Sequence, residues 1–294
     1  MTGPEATARR PGDGVATPPP GPRLVAAASP GGPLAAPGLA RLPPLAVRDL
    51  PSPNHDARPE GVPVDTLVLH YTDMESGAAA IARLRDPAAR VSSHYVVEED
   101  GAVFRLVPEE RRAFHAGVSH WRGHEALNGR SLGIEVVNPG HSCGYRPFPA
   151  LQMAAVCDLC LDLLGRWPIP ARNVVAHSDV APDRKVDPGE LFDWAGLAAN
   201  GVGLWPDGVP GEDRTPVEGG ATRATGLLRA IGYRTDDLQP SVVVAAFQRH
   251  WRQEAVSGEA DRGTLARMRA VAALCGAGES GAAGARVDSG PGGP

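Results

Sequence analysis

The most constraining feature of this chain of 294 residues is a short apolar run that ends in a histidine and opens into a polar loop. Residues 173–176 predict a buried strand that delivers His177 at its end. The loop after it is broken by prolines and carries Lys185 and Asp187 among other charged residues. A histidine and a carboxylate that turn back toward one point supply part of a catalytic metal site, although their spacing alone leaves a non-metal cluster equally open.

Two further apolar runs carry one functional group each. Residues 64–70 form a β-branched and Leu-rich run that ends in His70, and residues 131–138 form another with Glu135 at its middle. Neighbouring strands that each end in a histidine would bring the two imidazoles together. Since a carboxylate in a buried strand is costly to desolvate, Glu135 is either a functional group or half of a structural salt bridge.

Three separated motifs occur in one order along the chain: Leu-His70-Tyr-Thr, Gly-Ile-Glu135-Val-Val-Asn and His177-Ser-Asp-Val-Ala-Pro-Asp-Arg-Lys185-Val-Asp187-Pro-Gly. Together they resemble the zinc-dependent N-acetylmuramoyl-L-alanine amidases of the AmpD/AmiD type, over about residues 52–206. The resemblance implies a Zn²⁺ cofactor held by His70, His177 and Asp187. It also implies Glu135 as the catalytic acid and base, and Lys185 as the group that stabilises developing negative charge.

The fold class follows from the alternation of strand and helix patterns. A hairpin is predicted where Asp100-Gly101 separates two β-rich runs, and a helix is predicted over residues 150–166. We therefore expect an α/β domain with a mixed central β-sheet flanked by helices. The family resembled shares this fold with peptidoglycan recognition proteins.

A loop rich in His and Trp follows the hairpin. In the family resembled, such a loop lines the groove beside the metal, so His115 and Trp121 are candidate substrate contacts. Asn138, at the end of the Glu135 strand, is a third candidate. The alternative for His115, and for His94, is a histidine that only hydrogen-bonds in the core or at its rim.

Glycine and proline mark the domain boundaries, because these 36 and 30 residues concentrate at the two ends and between modules. Apolar stripes at helical spacing predict a small all-α domain, whose Leu-Arg-x-Ile-Gly-Tyr233 motif resembles three-helix peptidoglycan-binding domains. The alternative is a helical module that only stabilises the chain. The predicted segments are a disordered 1–50, a catalytic domain 51–206, a linker 207–221, a three-helix domain 222–275 and a disordered tail 276–294.

Composition limits the partners of the chain. A net charge of −5 and a pI of about 6.0 give no basic footprint for nucleic acid, and no run approaches the ~20 apolar residues of a membrane-spanning helix. The sequence carries no signal peptide, which predicts a cytoplasmic protein, or an envelope protein if the true start differs. The four cysteines suggest no disulfide framework. Cys157-x-x-Cys160 could be a redox or metal-binding pair, but both residues fall on the apolar face of the predicted helix, so we expect buried core cysteines.

The expected activity is hydrolysis of the amide between N-acetylmuramic acid and L-alanine of the peptidoglycan stem peptide. Peptidoglycan or soluble muropeptides are the expected partners, and the oligomeric state is not predicted. Two alternatives stay open: a non-catalytic peptidoglycan receptor on the same fold, and a zinc amidase acting on other amides.

Overall fold

The computed structural model describes residues 45–209 and 211–283, with side chains up to residue 277, and these fall within one compact unit. The disorder predicted for residues 1–44 and 284–294 lies outside the described residues. No helix within the described ranges combines the length and the apolar composition that crossing a membrane requires.

Ten strands and eight α-helices make up the described chain. The strands are β1 Val47–Asp49, β2 His55–Ala57, β3 Thr66–Tyr71, β4 Tyr95–Val97, β5 Val103–Arg105, β6 Arg111–Ala113, β7 His120–Trp121, β8 His124–Glu125, β9 Ser131–Val136 and β10 Val174–Ala176. The helices are α1 Gly77–Arg85, α2 Gly140–Cys143, α3 Ala150–Arg166, α4 His177–Val180, α5 Trp194–Ala199, α6 Gly220–Ile231, α7 Pro240–Trp251 and α8 Arg262–Ala283. Two 3₁₀ turns cover Leu127–Gly129 and Ala171–Asn173.

The central sheet has six strands in the order β1-β5-β4-β9-β3-β10. Only β4 and β5 pair antiparallel, across the predicted Asp-Gly turn, and the other neighbouring strands are parallel. The predicted mixed sheet flanked by helices is therefore confirmed. Two small antiparallel pairs, β2–β6 and β7–β8, lie outside it.

Strand register brings the distant motifs together. His70 on β3 lies opposite Glu135 on the neighbouring strand β9. On the other side of β3, Ala176 of β10 pairs with Leu69, so the next residue, His177, lies beside His70. Because these strands are parallel, their carboxyl ends meet at one edge of the sheet and carry all three groups to it.

The sheet is buried on both faces, which explains its nearly continuous apolar runs. Leu67, Leu69 and Ile134 pack on one face in a cluster that includes buried residues of α3. Val68 and Val175 face the other side, in a cluster with buried residues of α6, α7 and α8. Since side chains alternate along a strand, His70 and Glu135 share the face that the C-terminal helices cover.

Helix α3 runs over the residues predicted for it. Its buried side includes Cys157 and Cys160, which form no disulfide. Burial raises the pKa of both thiols, so neither is poised for redox or metal chemistry. The prediction of core cysteines is confirmed.

Structure extends beyond two predicted boundaries. Val47–Asp49, inside the segment predicted as disordered, form an edge strand that pairs with β5, and α8 continues past residue 275 to Ala283. The predicted linker also makes a contact with the C-terminal helices, because the Gly211 carbonyl accepts a hydrogen bond at 2.7 Å from the buried Arg252 at the C-terminal end of α7. The three exposed strand residues and the Gly- and Ala-rich helix end have no apolar periodicity, so no sequence pattern predicts these two extensions.

Candidate active site

Three buried side chains converge at the carboxyl edge of the sheet. Nδ1 of His70 lies 2.9 Å from Nδ1 of His177 and 3.1 Å from Oδ2 of Asp187, and the remaining pair is 3.0 Å apart. Among the described residues, these three form the group of His, Cys, Asp and Glu side chains that could hold a metal ion. They are at most 5% exposed.

Hydrogen bonds on the far side of each imidazole assign the tautomers. Nε2 of His177 lies 3.2 Å from the Ala116 carbonyl, so it carries the proton and donates. Nε2 of His70 lies 3.1 Å from Nδ1 of His115, whose own Nε2 is 3.1 Å from the Ser131 hydroxyl. Nε2 of His70 therefore donates to His115, and Nε2 of His115 donates to Ser131. With the proton of each ring on Nε2, Nδ1 of both His70 and His177 keeps a free lone pair.

The donor set fits a metal ion. Two imidazole lone pairs and a carboxylate oxygen about 3 Å apart repel one another unless a cation lies between them. Donors at about 2.0–2.1 Å from a tetrahedral ion lie about 3.3 Å from each other, close to the spacing found here. His70, His177 and Asp187 would therefore hold one ion and leave a coordination position free.

Electrostatics favour the metal-binding forms of His70 and Asp187. Burial, followed by the charge of His177, lowers the pKa of His70 to about 4, and burial also lowers the pKa of His115. Burial opposes ionisation of Asp187, but the interactions of this carboxyl group with His177 and His70 outweigh burial and lower its pKa. Near neutral pH, His70 is thus neutral and Asp187 is anionic, as ligation requires.

Glu135 and Lys185 lie beside this cluster. Both line a cavity of about 300 Å³ together with His177 and Asp187. Oε2 of Glu135 is buried and makes no hydrogen bond to a described residue. Burial, followed by the negative charge of Asp187, raises the pKa of Glu135, and the Lys185 charge partly offsets this. A carboxyl oxygen without a hydrogen bond, on a side chain that lines a cavity, is available to exchange a proton with a bound molecule.

The three candidate substrate contacts lie in different surroundings. His115 lines the cavity and also supports His70 through the hydrogen bond described above. Trp121 is buried against Tyr233, with ring centroids 5.1 Å apart, and Asn138 is fully buried and donates to the Arg146 carbonyl at 2.8 Å. The described contacts give Trp121 and Asn138 packing roles, and contact with substrate stays a prediction.

The support behind His70 depends on a glycine that sequence reasoning did not single out. A Cβ atom at Gly133 would lie 2.5 Å from Cγ of His115, so β9 can carry only glycine there without displacing the ring. The backbone N–H of Gly133 donates to Nδ1 of His94 at 3.0 Å, and Nε2 of His94 lies 3.1 Å from the Arg111 carbonyl. His94 is thus a core histidine that only hydrogen-bonds, as its alternative reading held.

Sequence reasoning also missed a second buried cluster, which joins α4 to the C-terminal helices. Asp179, two residues after His177, accepts hydrogen bonds from Tyr233 at 2.5 Å and from His250 at 2.6 Å. All three side chains are at most 2% exposed. Tyr233 and His250 fall within apolar patterns of helical spacing. The polar groups of these two aromatic rings are the only local feature of the sequence that indicates a buried hydrogen-bonding cluster.

Comparisons with known proteins agree with this geometry. The family described as N-acetylmuramoyl-L-alanine amidase matches residues 60–190. The N-acetylmuramoyl-L-alanine amidase AmiD of Escherichia coli is 39% identical over 236 residues, which cover 71% of this chain and 82% of AmiD. The 1,6-anhydro-N-acetylmuramyl-L-alanine amidase AmpD of Escherichia coli is 36% identical over 168 residues, which cover 51% of this chain and 90% of AmpD.

Solved structures give the same grouping. AmiD from Escherichia coli, in complex with the substrate anhydro-N-acetylmuramic acid-L-Ala-D-gamma-Glu-L-Lys, superposes with a TM-score of 0.66 at 36% identity. That match covers 73% of this chain and 91% of AmiD. AmpDH3 from Pseudomonas aeruginosa superposes with a TM-score of 0.64 at 30% identity, covering 74% of this chain and 94% of AmpDH3. Motif, site and similarity together place this chain in the family of N-acetylmuramoyl-L-alanine amidases.

Proposed function

We propose that this amidase is zinc-dependent and that it cleaves the amide between the lactyl group of N-acetylmuramic acid and L-alanine of the stem peptide. The observation that carries the proposal is the convergence of two deprotonated imidazole nitrogens and a carboxylate oxygen beside the unpartnered Glu135 carboxyl. Nitrogen and carboxylate ligands with one open position are typical of catalytic zinc sites. When bound, Zn²⁺ polarises the scissile carbonyl and lowers the pKa of water to about 7.

Glu135 moves the proton in this reaction. Its carboxylate accepts a proton from the attacking water, whose oxygen bonds to the lactyl carbonyl carbon. When the carbon–nitrogen bond breaks, Glu135 returns the proton to the departing amino group of L-alanine. This role is supported by the Oε2 atom, which makes no hydrogen bond to a described residue, and by the position of Glu135 in the cavity lining.

Lys185 stabilises the negative charge that develops on the carbonyl oxygen. Lys185 lines the same cavity, and its positive charge acts on the neighbouring Glu135 carboxyl. A single group of this kind contributes about 3–4 kcal/mol to transition-state stabilisation. His115 also lines the cavity and holds the tautomer of His70.

The substrate is a peptidoglycan-derived muropeptide. AmiD and AmpDH3 were both crystallised with anhydromuramic peptides, which supports a soluble anhydro-muropeptide as a substrate of this chain. Helices α6, α7 and α8 supply a candidate peptidoglycan-binding module that would direct the enzyme to intact sacculi as well.

Mass spectrometry of products from intact sacculi and from soluble anhydro-muropeptide, with and without a chelator, tests the proposal. We expect free stem peptide that disappears with the chelator and returns when zinc is restored. Release from the soluble substrate alone would contradict a wall-binding module. Absence of cleavage of either substrate by the zinc-loaded protein would replace the enzyme with a peptidoglycan receptor.

A further inference from the structure

The Asp179 carboxylate has a donor on each side. Oδ1 accepts from the Tyr233 hydroxyl at 2.5 Å, while Oδ2 accepts from Nδ1 of His250 at 2.6 Å and from the backbone N–H of Ala176 at 2.8 Å. Two of these three donors come from the C-terminal region, since Tyr233 follows α6 and His250 lies on α7. The third donor is the residue immediately before His177. One carboxylate therefore joins the C-terminal helices to the segment that carries a metal ligand.

Packing holds both donors in place. The imidazole of His250 is stacked between the indoles of Trp194 and Trp251, and each pair of ring centroids is 3.8 Å apart. Tyr233 lies edge-on to Trp121, with ring centroids 5.1 Å apart. The donors are thus fixed by rings on both sides of the junction and have little freedom to follow Asp179 if it moves.

The same junction contacts the loop opposite the metal ligands. The backbone N–H of Arg122 donates to the Gly232 carbonyl at 2.8 Å, and its guanidinium donates to the Ile231 carbonyl at 2.9 Å. This loop begins near Ala116, whose carbonyl receives the Nε2 proton of His177. The C-terminal helices therefore touch the environment of His177 through two separate segments.

Geometry makes this junction consequential for the metal site. Asp179 lies two residues after His177 in the single turn of α4, and Nδ1 of His177 must lie about 3 Å from its two companions to complete the site. Hydrogen bonds to a buried carboxylate are strong, and removing one donor leaves the charge incompletely satisfied. Without that donor, the Asp179 carboxylate would move toward another hydrogen-bond donor, and α4, which carries both Asp179 and His177, would shift with it.

We propose that Asp179, Tyr233 and His250 are positioning residues for the metal ligand His177, so that the C-terminal helices complete the metal site. The inference rests on the metal site of the proposed function and adds a role for these helices that wall binding does not require. None of the three side chains lines the cavity, and each acts through the orientation of α4.

The test measures zinc affinity of the full chain by competition with a chromophoric chelator, independently of turnover. Tyr233→Phe removes one hydroxyl, and His250→Phe keeps an aromatic ring in the stack while removing the donor. We expect each to weaken zinc binding by about 10–100-fold, the usual effect of losing support behind a ligand. His250→Asn, which can place an N–H near the position of Nδ1, should recover part of the affinity.

Gln248→Ala is the matched control. Gln248 is fully buried on α7 and hydrogen-bonds Thr264 at 2.9 Å and the Glu259 carbonyl at 3.0 Å, all within the C-terminal region. The substitution Gln248→Ala destabilises the same helices but removes no contact with Asp179, so zinc affinity should stay at the wild-type value.

Three outcomes would overturn the inference. Unchanged zinc affinity in folded Tyr233→Phe and His250→Phe, checked by circular dichroism, would show that the junction does not position His177. An equal loss in Gln248→Ala would assign the effect to general destabilisation. A folded wild-type protein that binds no zinc would overturn the proposed metal site itself, and that result is separate from the other two.

Discussion

Asp179 on α4 and Asp187 in the loop that follows it are two buried aspartates eight residues apart, and each lies beside histidine. Around Asp179 every partner donates a proton: a hydroxyl, a backbone N–H and the Nδ1 of His250. Beside Asp187 the two nearest groups are imidazole nitrogens whose protons lie on the far side of their rings. Both carboxylates are buried, but only Asp179 is surrounded by hydrogen-bond donors. This difference distinguishes the structural carboxylate of Asp179 from Asp187, the candidate metal ligand.

Two glutamates repeat this contrast. Glu109 is buried and accepts hydrogen bonds from Tyr95, Arg166 and Trp167. Glu135 keeps a buried oxygen without a partner among the described residues and faces the cavity. A polar group left unsatisfied costs free energy of folding, which a protein tolerates where the group is used.

The comparison is tested most severely by Asp187→Asn. The neutral amide removes the anionic ligand, so we expect the metal to be lost and turnover to fall by more than about 10⁴-fold. Metal content by plasma mass spectrometry and a product assay measure the two effects. Asp183→Asn, on an exposed neighbour in the same loop, is the control and should keep both. A fully metallated, active Asp187→Asn enzyme would refute the ligand assignment.

Glu135→Gln separates proton transfer from metal binding. Glutamine retains the shape of the side chain but cannot take a proton from water, so turnover should fall by about 10²–10⁴-fold. Zinc content should equal that of the wild type, because Glu135 is not among the three converging ligands. Loss of zinc in this variant would mean that Glu135 holds the metal and would remove it from its catalytic role.

Much of this site can be predicted from the sequence, because a residue at the end of a buried strand has a defined place at the edge of the sheet. Apolar runs that end in His70 and His177, and a third that contains Glu135, become neighbouring parallel strands, and their register then needs no further information. The loop after His177 offered Asp187 as a further candidate ligand. The resemblance to amidases supplied what the residues left open, namely the choice of a zinc site and the roles of Glu135 and Lys185.

The junction at Asp179 was not predictable in the same way. Its partners lie 54 and 71 residues further along the chain, so their contact depends on how the helices dock rather than on any local pattern. Tyr233 and His250 fit an apolar helical stripe equally well, and the two-domain interpretation placed them in a separate module. The shared hydrophobic cluster, which joins Val68 and Val175 to the helices, is likewise a product of docking.

Gly133→Ala examines whether support behind His70 matters as much as the ligands themselves. The added Cβ would meet the His115 ring at 2.5 Å and displace it from His70. We expect about 1–3 kcal/mol lower stability and about 10-fold weaker zinc binding, measured by urea unfolding and chelator competition. Gly165→Ala, where the new Cβ meets nothing within 4 Å, should gain stability in α3 and leave zinc affinity unchanged. Wild-type zinc affinity in Gly133→Ala would show that His115 does not support the ligand.

Glu109→Gln has the smallest expected effect on the site, because a satisfied carboxylate should act on stability alone. Desolvation would raise the pKa of Glu109, but the hydrogen bonds from Arg166, Tyr95 and Trp167 outweigh it and lower the pKa. A carboxylate whose pKa is lowered by folding contributes stability that is present above its unfolded pKa of about 4.3. That contribution is lost as the pH falls through the lowered folded-state pKa, because the protonated group then resembles glutamine.

We therefore expect Glu109→Gln to cost about 2 kcal/mol near neutral pH, with the difference from wild type closing below about pH 4. Urea unfolding across this pH range measures the difference, and Glu110→Gln, at the exposed neighbouring position, should show none of it. Zinc affinity and turnover should match the wild type at neutral pH. If the stability difference between Glu109→Gln and the wild type does not change with pH, the negative charge of Glu109 does not contribute to stability. A change in zinc affinity would break the distinction between satisfied and unsatisfied carboxylates, because Glu109 lies outside the cavity that contains the metal cluster.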